Sequence, residues 1–152
     1  MAEQRIECLS FMNDANMVST FGKGYGEGEI IQFALNHSQM LKTESTFCKC
    51  TGKLWVDNFL DCLAEFNGKF LCQAYFSNVF SFKKTRLEYV DTRFYIADIQ
   101  FYQQHFSKLH LQVGGHFQSS IEDVFKEKMI QDHLLGSLFR TFPLVRGVGG
   151  GS

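Results

Sequence analysis

"STFGKGYGEGEIIQF" (residues 19–33) sets a glycine at every second position, Gly22, Gly24, Gly26 and Gly28. A phosphate cradle needs four residues between its glycines and then Gly-Lys-Ser/Thr, so that lysine reaches a phosphate and the hydroxyl reaches magnesium. Here Lys23 follows Gly22, but Gly24 stands where the hydroxyl belongs. The dinucleotide spacing GxGxxG fails as well, because the period is two. Glu27 and Glu29 would also put carboxylates where a phosphate must sit. The stretch therefore reads as a hairpin tip or strand connection. Residues 29–41 after it fit a helix, and 29–36 fit a strand.

Working outward, 152 residues with 45% hydrophobic and 20% charged side chains describe one globular domain, taken as residues 1–145. The tail at 146–152, "RGVGGGS", reads as a flexible linker or appended remnant. Seventeen Phe against a single Pro favour sheet. A net charge of −1 excludes nucleic-acid binding by bulk electrostatics and leaves only a local patch. No apolar run of about 18 residues spans a membrane, and "MAEQRIECLSF" lacks the segments of a secretory signal. Cys8, Cys48, Cys50, Cys62 and Cys72, an odd set, fit free thiols in an intracellular setting, nuclear or cytoplasmic. The CxC at 48–50 is not zinc spacing, and His110 and His116 have no compact Cys/His set around them. No metal, cofactor or catalytic residue is expected. The histidines at 37, 105, 110, 116 and 133 form no HExxH or equivalent.

Alternation supplies the strands. "KLHLQV" (108–113), "RFYIADIQFYQ" (93–103), "KFLCQAYFSNVFSF" (69–82) and "TFCKCTGKLWV" (46–56) each separate two faces, with a bulge expected near Ser77-Asn78 and a coil at Gly52. Residues 57–70 fit a hairpin turning at Asn67-Gly68, the preferred reading, or a short helix. A C-terminal amphipathic helix begins at Ser119 with Glu122, or Ser120 with Asp123, and runs through Leu138.

The expected fold is thus mainly β, with α+β as the alternative: a small antiparallel five-stranded barrel and a C-terminal helix. In strand order and loop placement, residues 46–140 resemble a small OB-type barrel. That resemblance implies a non-catalytic module that binds single-stranded nucleic acid, or a protein-interaction subunit of a genome-maintenance or telomere complex in the nucleus. Aromatics stack on bases and cations track phosphates, so the candidate groove is Phe47, Lys49, Lys53 and Trp55 with Lys83, Lys84, Arg86 and Arg93. The alternative is docking on a protein partner through Leu134, Leu135, Leu138, Phe139 and Phe142, more apolar surface than one helix face buries. A small-ligand barrel or enzyme is a third reading.

Overall fold

The glycine stretch is helical. The computed structural model describes residues 5–114, 119–134 and 136–147, so Leu135, His116 and the tail from 148 onward lie outside the described residues. Helix α1 (Ala15–Phe21) is capped by Asp14, whose carboxylate accepts from the amides of Asn16 and Met17. It ends at Gly22, where φ +85° and ψ −176° turn the chain through a region that only glycine enters cheaply. Helix α2 (Lys23–His37) starts at the next residue.

Residues four apart share a helix face and residues two apart lie on opposite sides. Gly24 and Gly28 thus face one way and Gly26 the other, and each lets a neighbour approach. A Cβ on Gly24 would lie 2.8 Å from the Ile121 Cβ, one on Gly26 3.0 Å from Val18, and one on Gly28 2.2 Å from the His110 Cβ. Ile31 and Leu35 continue the Gly24–Gly28 face onto the core. The glycines are the inward stripe of a helix, not the apex of a loop.

The sheet that α2 reaches is small. Strands β1 (Thr46–Cys50), β3 (Phe70–Ser77) and β4 (Arg86–Asp98) form an antiparallel sheet in the order β1-β4-β3. Strands β2 (Leu54–Val56) and β5 (Val145–Gly147) pair separately. Neither sheet closes, so the expected five-stranded barrel is replaced by an α+β fold. Two strand assignments fail for physical reasons. Residues 46–56 break at the turn around Gly52, where Lys53 takes φ +66°. Residues 93–103 stop being strand at Asp98, whose carboxylate accepts from the Phe101 amide and caps helix α4 (Ile99–His105). A third, 108–113, is a 3-10 turn (Leu109–Gln112), with Leu109, His110 and Val113 buried and Leu111 exposed, which alternation does not allow.

The ambiguous segment 57–70 resolves to helix α3 (Phe59–Ala64), followed by a turn in which Asn67 Oδ1 accepts from the amides of Lys69 and Phe70. Helix α5 (Ile121–Gln131) begins at the second of the two capping registers, with Ser120 and Asp123 bonded reciprocally, and ends well before Leu138.

Both faces of β4 are covered. Tyr95, Ala97 and Val90 join Phe70, Cys72, Phe106, Phe125 and Met129 beneath α4 and α5. Phe94 and Ile96 point the other way, to Leu71, Cys62 and Phe139 beneath α3. Phe70 has no exposed surface and stacks on Phe106 at 4.4 Å; burying such a side chain stabilises by about 1.5–3 kcal/mol. The chain after α5 covers the free edge of β3: Cys72 N–H donates to Ser137 O, and Phe139 N–H to Cys72 O. Glu65, accepting from the Arg140 and Thr141 amides, then holds that segment on α3.

The close approach at Gly28 makes Gly28→Ala strongly destabilising. Its methyl would meet a Cβ, which no side-chain rotation moves aside, so the cost is about 3 kcal/mol, against a helix-propensity gain of about 1 kcal/mol. Gly52→Ala, with nothing within 4 Å, should leave stability unchanged. Thermal melts of the two variants decide: equal melting temperatures would mean that α2 does not seat as described.

Candidate functional site

Seating α2 brings Glu27 to a buried ammonium. Lys49 on β1 is 8% exposed, and its Nζ lies 2.5 Å from Glu27 Oε1. The same Nζ donates to Thr51 Oγ1 at 2.8 Å and to Thr92 O at 2.5 Å, and it lies 5.7 Å from the centre of the Tyr95 ring. The Thr92 carbonyl is available because pairing between β3 and β4 slips between Cys72↔Tyr95 and Gln73↔Asp91, so that residues 92–94 bulge. Thr51 donates in turn to Glu27, and Thr92 Oγ1 to Glu122 on α5 at 2.9 Å. Four elements are joined by one polar network.

A cleft of about 780 Å³ opens over this network, bordered by Lys23, Thr51, Arg93, Ser119, Ser120 and Glu122. Its charged groups mostly satisfy one another. Glu27 has Lys49 and Thr51, Glu122 has Thr92, and Arg93 is held by Asp91 at 2.6 Å. Deeper in, the Nδ1 of His110 has no partner among the described residues, and His110 borders a cavity of about 10 Å³ shared with Glu27, Lys49, Tyr95 and Tyr102. Tyr95 and Tyr102 bond hydroxyl to hydroxyl at 3.2 Å.

Cys62 and Cys72 are buried, and desolvation holds both thiols above their ordinary range. Desolvation also pushes the Cys48 thiol up to about 11, although part of its side chain reaches the surface. None of these three is a thiolate at neutral pH. Among the described residues no three His, Cys, Asp or Glu side chains converge to hold a metal ion.

The groove expected from sequence does not assemble. Phe47 packs edge-on against Tyr95 and Tyr102. Lys49 is inside, and Arg93 is paired. Trp55 is 47% exposed but stands on the separate two-stranded sheet, opposite Arg146, with its Nε1 donating to Asp57. Lys53 sits in the turn before it. The expectation of an OB-type barrel with a groove across it is therefore corrected: neither sheet closes and the groove residues are dispersed, and nothing here supports nucleic-acid binding or a nuclear setting.

The C-terminal apolar set is dispersed too. Leu134 and Leu138 pack on the core, Phe139 is buried against Phe94, and Phe142 is half exposed beside Tyr75.

Lys83, Lys84 and Arg86 remain together, in a setting alternation did not reveal. Strand β1 pairs only with residues 94–98 of β4, so residues 86–91 pair with β3 alone. The β3–β4 hairpin thus projects as a two-stranded ribbon with a tip at 78–85. On that tip Phe80 and Phe82 are 102% and 113% exposed, and Val79 is exposed beside them. Tyr75 and Tyr89 pair across the ribbon, rings 5.9 Å apart, both partly exposed. Lys83, Lys84 and Arg86 are exposed, and none forms an ion pair among the described residues. The sequence reading puts Phe80 and Phe82 on one face of a strand that runs from 69 to 82 with a bulge near Ser77-Asn78; the strand ends at Ser77 instead, and both rings lie beyond it.

No family model, curated protein or solved structure matches the chain.

Two variants test the network. Lys49→Met leaves Glu27 facing the core unpaired, and breaking a buried pair from one side costs about 3–5 kcal/mol. Glu27 is 27% exposed, so about 2–3 kcal/mol is expected, and adding Glu27→Gln should recover part of it. A urea-denaturation cycle with no coupling between the two sites would contradict the pairing.

His110 gives a pH signature. Burial holds its pKa below the ordinary 6.5, opposed by a backbone contact to Ser107 and the charge of Glu29. The neutral ring is thus favoured in the folded state. Its contribution is full above pH 6.5 and is lost as the pH falls from there through the lower folded value. Wild-type protein should lose more stability between pH 7.5 and 5.5 than His110→Phe; parallel pH profiles would refute this.

Proposed function

We propose that the protein is a non-catalytic docking module that engages a macromolecular surface through the projecting end of the β3–β4 hairpin. The observation that supports this reading is the full exposure of Phe80 and Phe82 beside three cations that form no ion pair among the described residues. Isolated exposed apolar side chains are ordinary, but a clustered, projecting set marks an interaction surface. The cleft over Glu27 is the opposite case. Its carboxylates, Lys49 and Arg93 are largely occupied with one another, which suits a structural network joining α2, β1, β4 and α5.

Docking through residues 134–142 is less favoured, because Phe142 is the exposed member of that set and it leans on Tyr75 of the hairpin. The contact region therefore comprises the hairpin tip, with Tyr75, Tyr89 and Phe142 along its stalk.

A photo-crosslinking side chain at Thr85, which is exposed beside the tip, tests the reading in cells, with Gln104 on α4 as an exposed control. Adducts of any class are expected at position 85, exceeding those at 104 by about tenfold and falling to the control level with Phe80→Ser and Phe82→Ser; losing the anchors of an interface commonly costs 2 kcal/mol or more. Equal labelling at both positions would remove the hairpin from function.

A further inference from the structure

The docking reading leaves open what the hairpin meets. We propose that it is an anionic lipid surface, with Phe80 and Phe82 entering the headgroup–acyl boundary and Lys83, Lys84 and Arg86 resting among the headgroup phosphates and carboxylates. The inference rests on the docking reading and adds the partner's chemistry.

Three features favour a bilayer surface. The first is shape. Phe80 and Phe82 are exposed without any flanking wall, on a convex apex; a groove that stacks bases, or a pocket that grips a peptide, is concave. A soft planar interface accepts such an apex as it stands.

The second feature is charge. Three of the chain's 15 cationic residues and none of its 16 acidic residues fall within 79–87. The nearest acid in sequence, Glu88, lies on the stalk and accepts from the Ser77 hydroxyl. The apex is therefore positive on a chain whose net charge is −1. Basic clusters of this kind are drawn to anionic leaflets, each cation strengthening binding by about fivefold near the surface.

The third is local order: the tip is held as a turn by its own bonds, which lowers the cost of ordering it at a surface. Ser81 N–H donates to Asn78 O, Lys83 N–H to Ser81 Oγ, and Asn78 Nδ2 to Lys84 O. Asn78 takes φ +60° to close this turn. Tyr75 and Tyr89 pair on the stalk, and amphipathic rings of this kind favour the headgroup region. Among the described residues no helix is long and apolar enough to cross a membrane. Binding by a shallow hairpin is accordingly peripheral and reversible, of the strength that one weak anchor plus a basic patch provides.

Vesicle flotation of the full chain tests the proposal, using phosphatidylcholine alone and phosphatidylcholine mixed equally with phosphatidylserine. Binding is expected to the mixed vesicles and to be weak on the neutral ones. Added salt should weaken it, since screening shortens the reach of charge to about 10 Å at about 0.1 M. Lys83→Glu with Lys84→Glu should lower partitioning at least tenfold, as should Phe80→Ser with Phe82→Ser. These side chains lie at the surface, so thermal melts should be unchanged. As a second readout, Phe82→Trp in a Trp55→Phe background should shift its emission to the blue on mixed vesicles and be quenched by brominated lipid.

No binding to mixed vesicles, or binding indifferent to the two phenylalanines, overturns the lipid assignment. If Thr85 adducts in cells are then protein or nucleic acid, the docking reading survives with another partner. If labelling at Thr85 equals that at Gln104, both fall.

Discussion

The close approach of α2 to the start of α5 and to the 3-10 turn at Leu109–Gln112 is the constraint on which the rest of the structure depends. A helix with ordinary side chains at positions 24 and 28 would be held off Ile121 and His110. The Glu27 carboxylate would then not reach Lys49. An ammonium taken out of water costs several kcal/mol unless charge and hydrogen bonds replace its hydration. Lys49 receives Glu27, Thr51 and the Thr92 carbonyl, with the Tyr95 ring nearby. Glycine on one helix thus permits a buried charge on a neighbouring strand, and the bulge in β4 supplies the carbonyl that completes its shell.

That arrangement explains which parts of the fold are legible in the sequence. The β3 strand and residues 93–98 of β4 are visible because their side chains alternate or run continuously apolar, and the α5 capping box is visible because Ser120 and Asp123 stand three apart. The first half of α2 is hidden because its inward positions are Gly24, Glu27 and Gly28, which carry no hydrophobic signal, whereas Ile31 and Leu35 make the second half visible as the helix reading of 29–41. The same logic misplaces residues 46–56. Alternation sorts Phe47, Lys49 and Trp55 onto one face, but a turn at Gly52 and Lys53 divides them between two sheets. Local pattern carries no information about a partner such as Glu27, 22 positions away in the chain. The basic connection at 83–86 was legible as a surface, whereas the full exposure of Phe80 and Phe82 follows from the ribbon outrunning β1, which only the strand register reveals.

The molecule separates its polar groups into two regimes. Around Lys49 they are buried and mutually satisfied, and they fix the relative positions of α2, β1, β4 and α5. At the hairpin tip the cations have no ion-pair partners among the described residues and the rings have no cover. Changes in the first region act through stability, because they leave a desolvated charge behind. Changes in the second are expected to leave the fold intact, and under the proposed docking role they act on association. The two regions are connected along β4, which runs from the buried end paired with β1 to the projecting end paired with β3 alone.

Amide hydrogen exchange read residue by residue tests the seating of α2 most directly. Protected amides from Glu27 through Leu35, alongside rapid exchange at residues 79–85, are the expected pattern. Rapid exchange throughout 23–33 would show the glycine stretch to be a loop, and would remove Glu27 from Lys49 and the close-packed helix from the fold.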